Sequence, residues 1–281
     1  MNYALDALWW RLDSPPVRDL AALLTAPPLW DSGVEWPVRA LLGRSGLRFL
    51  LSLNDDPAPL TAYLAAHAPF GGRLGVYAER LLAFWLDNAP HCRLLAHNLP
   101  VEENGRRLGA LDFVAEADGR CLHIELACKY YGAESGRAAD LVGLNAADRL
   151  ADKAAKLHKQ LALSRQPAGL RALAAAGLRV DAAVSVVRGM GFSAAGVSGA
   201  PLCPTGWHGG YRRTDSPTLL PHGRYYVLPR MALLAPARVG EAELADAETA
   251  ARAGPAILAK VARRSDGLWH ETERIMQVEA V

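Results

Sequence analysis

The sequence lacks the features that define several large classes of protein. Its four cysteines include no C-x-x-C pair, so reduced thiols in a cytosolic protein are the favoured interpretation. No run approaches the roughly 18 apolar residues of a membrane span. The first residues carry no cationic region of a signal peptide. A Walker loop and a dinucleotide-binding G-x-G-x-x-G are also missing. The sequence therefore predicts a cytoplasmic protein without a membrane span.

A strong net charge is missing as well. The 31 Lys and Arg residues nearly balance the 29 Asp and Glu residues, and the formal net charge is +2. No global basic field therefore requires a nucleic-acid partner, and any such contact must come from a local patch. The 281 residues, 51% of them hydrophobic, suit one large domain or a core with an appended lobe.

Two turn signals organise the middle of the chain. Asn104-Gly105 and Asp118-Gly119 each separate runs that are typical of strands. These dipeptides favour tight hairpins because both turn positions need φ > 0. The sequence therefore predicts a three-stranded antiparallel meander over residues 93–101, 108–115 and 121–130.

The second turn determines which residues of its two strands face each other. If Ala117 and Arg120 are the last paired residues, Asp112 lies directly opposite Glu125, with Cβ atoms roughly 4.5–5.5 Å apart. Two carboxylates that close repel each other unless they share a proton or bind a divalent cation. A plainer interpretation is two surface carboxylates on a solvated sheet face. We expect a site for Mg²⁺ or Mn²⁺, which prefer carboxylate oxygens.

Other polar side chains are expected near this pair. Period-two alternation puts His123 and Lys129 on the same face as Glu125, and His123 is interpreted as a packed or supporting histidine rather than a ligand. The helix predicted over residues 74–86 carries Glu79. A lysine beside a metal ion can orient the attacking water or stabilise charge in the transition state. The helix predicted over residues 146–163 adds two further lysines, Lys153 and Lys156.

This arrangement resembles the PD-(D/E)XK nuclease superfamily over roughly residues 74–188. In that superfamily a helix, a three-stranded antiparallel meander, a helix and a further strand form the core. The resemblance implies these positions: Asp112 as the first motif aspartate, Glu125 as the second motif acid, Glu79 as the helical glutamate that many members add, and Lys129 as the nearest match to the motif lysine. It also makes Gln160 a candidate site-lining group.

The wider chain is similar to a bacterial family, domain of unknown function eighteen fifty-three. The likeness rests on the segments YAERLLAFWL, LLAHNL, LGALDF, HIELACKYY, LHKQLALS and APARV. This family implies the nuclease-like core but no established substrate. We therefore predict an α/β fold in three parts: an N-terminal helical region (1–70), a PD-(D/E)XK-like core (71–190) and a C-terminal αβ extension packed on the core (191–281).

The position of the lysine departs from the superfamily pattern. One residue separates the motif acid from the motif lysine, whereas three residues separate Glu125 from Lys129, a span of roughly 13 Å along a strand. Lys129 could reach back along the sheet, a bulge could shorten the gap, or Lys153 or Lys156 could replace it. The sequence leaves open an active variant, a shifted lysine and an inactive scaffold.

The remaining segments give weaker signals. We expect a short helix over residues 2–13 and a helical region over residues 240–264. Trp207, Arg212 and Arg213 could stack on and clamp a nucleic-acid strand, although a loop anchor is the commoner role for such a tryptophan.

The favoured function is metal-dependent phosphodiester hydrolysis on nucleic acid. In this hypothesis Glu79, Asp112 and Glu125 hold Mg²⁺ or Mn²⁺ while Lys129 assists the water. The alternative is an inactive nuclease-like module that binds nucleic acid or a protein partner, which the near-zero net charge slightly favours. Neither the choice between DNA and RNA nor the oligomeric state follows from the sequence.

Overall fold

The computed structural model describes residues 11–216 and 219–279. The helix predicted over residues 2–13 lies almost entirely outside these residues. The described α-helices are α1 (Pro15–Thr25), α2 (Val38–Leu42), α3 (Gly46–Asp55), α4 (Ala58–Ala66), α5 (Leu74–Asn88), α6 (Leu150–Leu163), α7 (Pro167–Ala175) and α8 (Ala247–Ala251). The described strands are β1 (Cys92–Glu103), β2 (Arg106–Ala117), β3 (Arg120–Gly132), β4 (Ala182–Phe192), β5 (Trp207–Arg213), β6 (Arg224–Leu228), β7 (Arg238–Val239), β8 (Ala245–Asp246), β9 (Ala256–Arg263) and β10 (Trp269–Val278).

The ten described strands form one mixed, largely antiparallel sheet. Its order is β1-β2-β3-β4-β5-β10-β9-β6-β8, and β7 pairs with β10. Strands β1 to β3 form an antiparallel meander, whereas β4 is parallel to both β3 and β5, and β5 is parallel to β10. The element order of α5, meander, α6 with α7, and β4 agrees with the order predicted from the sequence. The C-terminal segment continues this sheet, since β5 pairs with β4.

Both predicted hairpin turns are confirmed. Asn104 and Gly105 have φ values of 51° and 73°, and Asp118 and Gly119 have φ values of 48° and 77°. Ala117 pairs with Arg120 across the second turn. The register that the turn signals imply is therefore the register of the sheet.

Helices cover the central sheet on both faces. The apolar side of α5 packs in the largest hydrophobic cluster with Ile124 and Leu126 of β3. On the opposite face, Leu157 and Leu161 of α6 share a second cluster with Ala127. Successive residues of β3 point alternately toward α5 and α6, so β3 is buried from both sides in its middle.

The N-terminal helices extend the layer that α5 begins. Helix α1 lies against α5, and the indole N–H of Trp85 in α5 donates to the Leu41 carbonyl of α2 at 3.0 Å. Within the described ranges, no helix is both long enough and apolar enough to cross a membrane.

The prediction of a helical region over residues 240–264 is wrong for its second half. Only α8 is α-helical there, and residues 256–263 form β9, which lies between β10 and β6. Ile257, Leu258 and Ala259 are all buried. A strand covered on both faces shows a continuous apolar run, which periodicity alone does not distinguish from a buried helix.

Candidate functional site

The backbone pairing of β2 with β3 ends beside the predicted acid pair. Phe113 and Ile124 are the last residues in register. At the next position the Asp112 N–H donates to Glu125 Oε1 at 3.3 Å, and the Leu126 N–H donates to Asp112 Oδ2 at 3.1 Å. Side-chain carboxylates thus replace backbone carbonyls as the acceptors of these two N–H groups. Beyond this point β2 pairs with β1 and β3 pairs with β4, so the two acids lie together where the strands part.

Glu125 is fully buried, with 0% of the residue exposed. Besides the Asp112 N–H, its Oε1 lies 2.8 Å from His123 Nε2. Its Oε2 is buried and has no hydrogen-bond partner among the described residues. Burying a carboxylate oxygen without a hydrogen-bond partner costs free energy. This oxygen therefore suits a site where it binds a proton or a cation.

The protonation of the pair reflects this environment. Burial raises the pKa of both the Asp112 and the Glu125 carboxyl groups. Repulsion by Glu125 raises the pKa of Asp112 further. The hydrogen bond from the Asp112 N–H lowers the pKa of Glu125, and repulsion by Glu79 raises it. The Lys153 cation lowers the pKa of both acids. A cation bound between them would favour their ionised forms.

Glu79 on α5 and Lys153 on α6 lie within electrostatic reach of the pair. Burial raises the pKa of Glu79, and repulsion by Asp112 adds to this shift. Burial lowers the pKa of Lys153, and the neighbouring lysines lower it further, while Asp112 and Glu125 raise it. Charged groups from both helical layers therefore act on the point where β2 and β3 part.

The other predicted lysines lie elsewhere. Lys129 Nζ donates to Asp148 Oδ2 at 2.6 Å, and the Tyr131 hydroxyl donates to Asp148 Oδ1 at 2.9 Å. Lys156 is exposed on α6. The structure thus brings Lys153 to the acid pair and fixes Lys129 to the segment that precedes α6.

Gln160 of α6 and Ser164, the C-cap residue of this helix, lie on the stripe that carries Lys153. Gln160 and Ser164 follow it by 7 and 11 residues, close to whole numbers of helical turns. Gln160 Oε1 is buried without a hydrogen-bond partner among the described residues. Ser164 Oγ lies 2.9 Å from His123 Nδ1. Ser164 was not among the predicted site residues, although its position on this stripe was a usable signal.

The predicted aromatic contact to nucleic acid is not supported by the position of Trp207. This residue is 4% exposed and packs in the largest hydrophobic cluster, so its ring faces are not open to a base. Arg212 donates to Gln277 Oε1, and Arg213 pairs with Asp215. The burial of Trp207 argues against stacking by its ring, and a nucleic-acid contact by Arg212 and Arg213 stays a prediction.

The described part of the chain contains no group of three or more His, Cys, Asp or Glu side chains arranged to hold a metal ion. The acid pair is thus the central feature of the site, and Glu79 interacts electrostatically with Asp112. Carboxylate pairs of this kind suit a hard divalent cation whose remaining ligands are water or substrate oxygens.

Fold and site together define a mixed α/β protein with a buried carboxylate pair where two strands of its sheet part. The family model described as domain of unknown function (DUF1853) matches residues 18–278, and the chain belongs to this family. This confirms the family predicted from the sequence segments. Comparisons with curated proteins and with solved structures find no match.

Proposed function

We propose that this protein is a divalent-metal-dependent hydrolase of phosphodiester bonds in nucleic acid, built on a PD-(D/E)XK-like core. One observation carries the proposal: Glu125, paired with Asp112 where β2 and β3 part, has a buried Oε2 without a hydrogen-bond partner among the described residues. The element order around the pair supports the PD-(D/E)XK likeness. The bacterial origin and the cytoplasmic location stay predictions.

The donor set fits Mg²⁺ or Mn²⁺. Mg²⁺ commonly takes one or two protein carboxylates and fills its other positions with water and substrate phosphate. Asp112 and Glu125 would hold the ion directly, and Glu79 would contribute from α5, within electrostatic reach of Asp112. When bound, the ion lowers the pKa of a water molecule and polarises a phosphoryl oxygen.

Lys153 takes the role that the sequence resemblance gave to Lys129. Its charge acts on both acids, and burial lowers its pKa. A partly desolvated ammonium beside the acid pair can orient the attacking water and stabilise charge that develops on phosphoryl oxygens. Lys129 lacks this freedom because Asp148 holds its Nζ.

The rival function is a nuclease-like module that binds nucleic acid or a protein partner without cleaving it. The observation in its favour is that the described residues contain no cluster of three metal-ligating side chains. Metal binding separates the two functions before any substrate is known.

The metal test compares melting temperatures in Mn²⁺ and in chelator. At a Mn²⁺ concentration of 100 times Kd, the ion stabilises the folded wild type by about 2.7 kcal/mol, whereas Glu125→Gln should gain far less. Glu241→Gln, in an exposed 3₁₀ turn, is the matched control and should behave as wild type. Equal shifts in all three proteins, or none in wild type, would contradict the metal site.

The catalytic test uses a panel of DNA and RNA substrates with Mg²⁺ or Mn²⁺. We expect Asp112→Asn to abolish cleavage and Lys153→Met to lower the rate on the order of a hundredfold. Lys159→Met, which removes an exposed lysine of the same helix, controls for loss of general positive charge. Cleavage that persists in Asp112→Asn would come from another site or a contaminant. Metal binding without cleavage of any substrate would favour the rival module.

A further inference from the structure

A chain of hydrogen bonds runs from the end of α6 to the acid pair. Ser164 Oγ lies 2.9 Å from His123 Nδ1, and His123 Nε2 lies 2.8 Å from Glu125 Oε1. His123 and Glu125 are 0% exposed and Ser164 is 3% exposed. Every polar atom of the imidazole therefore has a partner, and none of these partners is solvent-facing.

The partners determine where the imidazole carries its proton. A neutral imidazole has one donor and one acceptor nitrogen, and both nitrogens of His123 are in hydrogen-bond contact. An ionised Glu125 carboxylate only accepts hydrogen bonds. Nε2–H must then donate to Glu125, and Nδ1 must accept from the Ser164 hydroxyl, which is free to donate in that direction.

The same residue types occur in nucleophilic triads, but the geometry argues against that role here. A nucleophilic serine must reach substrate, whereas Ser164 is almost completely buried. The carboxylate and not the serine also contacts Nε2. Ser164 therefore acts on the ring and, through the ring, on Glu125.

We infer that His123, fixed by Ser164, is a positioning residue that holds Oε1 of Glu125 and leaves Oε2 for a divalent cation. This inference rests on the proposed function for the identity of the cation, but not for the hydrogen-bond chain. Two bonds restrain Oε1, one from Nε2 of His123 and one from the Asp112 N–H, and Oε2 has neither. Groups that orient a metal ligand in this way typically alter metal affinity 10- to 100-fold when removed.

The first experiment examines the metal-free protein, so it is independent of the proposed function. Side-chain ¹⁵N chemical shifts of His123, recorded at pH 8.5, should show protonated Nε2 and bare Nδ1. In Ser164→Ala the preference for protonation at Nε2 over Nδ1 should weaken, because Nδ1 loses its hydrogen-bond donor. Protonated Nδ1 in the wild type would overturn the inference.

The second experiment measures Mn²⁺ affinity in substituted proteins. His123→Leu removes both hydrogen bonds and should weaken binding 10- to 100-fold. His123→Gln can donate to Glu125 and accept from Ser164, so it should stay within a few fold of wild type. His158→Gln on the exposed side of α6 is the control and should not change affinity. Because His123→Leu could fold poorly, rescue by His123→Gln is the deciding result.

The outcomes separate the two proposals. Equal loss in His123→Leu and His123→Gln, or no loss in either, would overturn the positioning role. If wild type binds no Mn²⁺ while its ¹⁵N pattern is as expected, the proposed function fails, whereas the assignment of His123 as the group that orients Glu125 is supported.

Discussion

Two fully buried glutamates, Glu125 in β3 and Glu271 in β10, differ in the hydrogen-bond donors that contact their carboxylates. Arg274 Nε donates to Oε1 of Glu271 at 2.7 Å, and Arg274 Nη2 donates to Oε2 at 2.8 Å. The Ala237 N–H also donates to Oε2 at 2.7 Å. Glu125 has only neutral donors, both on Oε1, and Oε2 has no partner among the described residues.

This difference separates a structural carboxylate from one that is available for binding. Arg274 compensates the charge of Glu271 and also donates to the Leu233 and Ala235 carbonyls, so the pair connects β10 to the segment that precedes β7. Glu125 faces another acid instead of a cation. Protein folding alone does not require such a pair, which is why the proposed function rests on Glu125 and not on Glu271.

The largest expected effect is on the free energy of unfolding, and it differs between the two glutamates when each is replaced by glutamine. Glu271→Gln leaves the buried Arg274 charge without its partner, so we expect a loss of about 3–5 kcal/mol in the free energy of unfolding. Glu125→Gln in metal-free protein removes a charge to which no lysine or arginine of the described residues donates a hydrogen bond, and should be neutral or stabilising. Urea denaturation in chelator measures both.

Exposed ion pairs provide the control for that experiment. Glu248→Gln removes one partner of a pair on the surface of α8 and should change stability by less than about 1 kcal/mol. A large loss in Glu125→Gln without metal would contradict the comparison, because it would show that this carboxylate stabilises the fold.

A smaller effect is expected in the pH dependence of stability. Burial raises the pKa of Asp112 to about 7 in the folded protein, above its value in the unfolded chain. The folded state then binds more protons, so metal-free stability should fall as pH rises from about 4 to 7. The contribution is of the order of 2 kcal/mol, given 1.36 kcal/mol per pKa unit and partial exposure.

Other buried acids contribute to the same pH profile, so the difference between proteins is the informative quantity. Burial also raises the pKa of Asp19 to about 6, and this residue lies far from the acid pair in sequence and packs against Tyr77. Asp112→Asn should flatten the profile between about pH 4 and 7, whereas Asp19→Asn should remove only the separate contribution of Asp19. Identical profiles in wild type and Asp112→Asn would show that Asp112 does not carry the extra proton, since Glu125, whose pKa burial also raises, stays in the variant.

The meander and the acid pair could be predicted from the sequence because local rules determine them. Asn104-Gly105 and Asp118-Gly119 require left-handed backbone at both positions, so each dipeptide gives the turn type and the register together. Once the register is known, period-two alternation places Asp112 and Glu125 together. No information from distant parts of the chain is needed.

The lysine and the supporting groups could not be predicted in this way, because they depend on how α6 packs against β3. The hydrogen bond from Lys129 to Asp148 joins residues 19 apart, and that between His123 and Ser164 joins residues 41 apart. Contacts between residues this far apart in the chain cannot be predicted from local sequence patterns. The helix prediction over the residues of β9 failed for a related reason, since the burial of this strand on both faces is a tertiary property.

The smallest expected effect distinguishes Lys153 from Lys129 by metal affinity. Lys153 acts electrostatically on both acids, so it also repels a cation bound between them. Lys153→Met should tighten Mn²⁺ binding, because it removes a like charge that repels the bound ion. Lys129→Met should change Mn²⁺ affinity less, because Asp148 already compensates the Lys129 charge. Isothermal titration at low salt measures both, with Lys159→Met as the control. Tighter binding in Lys129→Met than in Lys153→Met would return the role of the site lysine to Lys129, as the sequence resemblance implied.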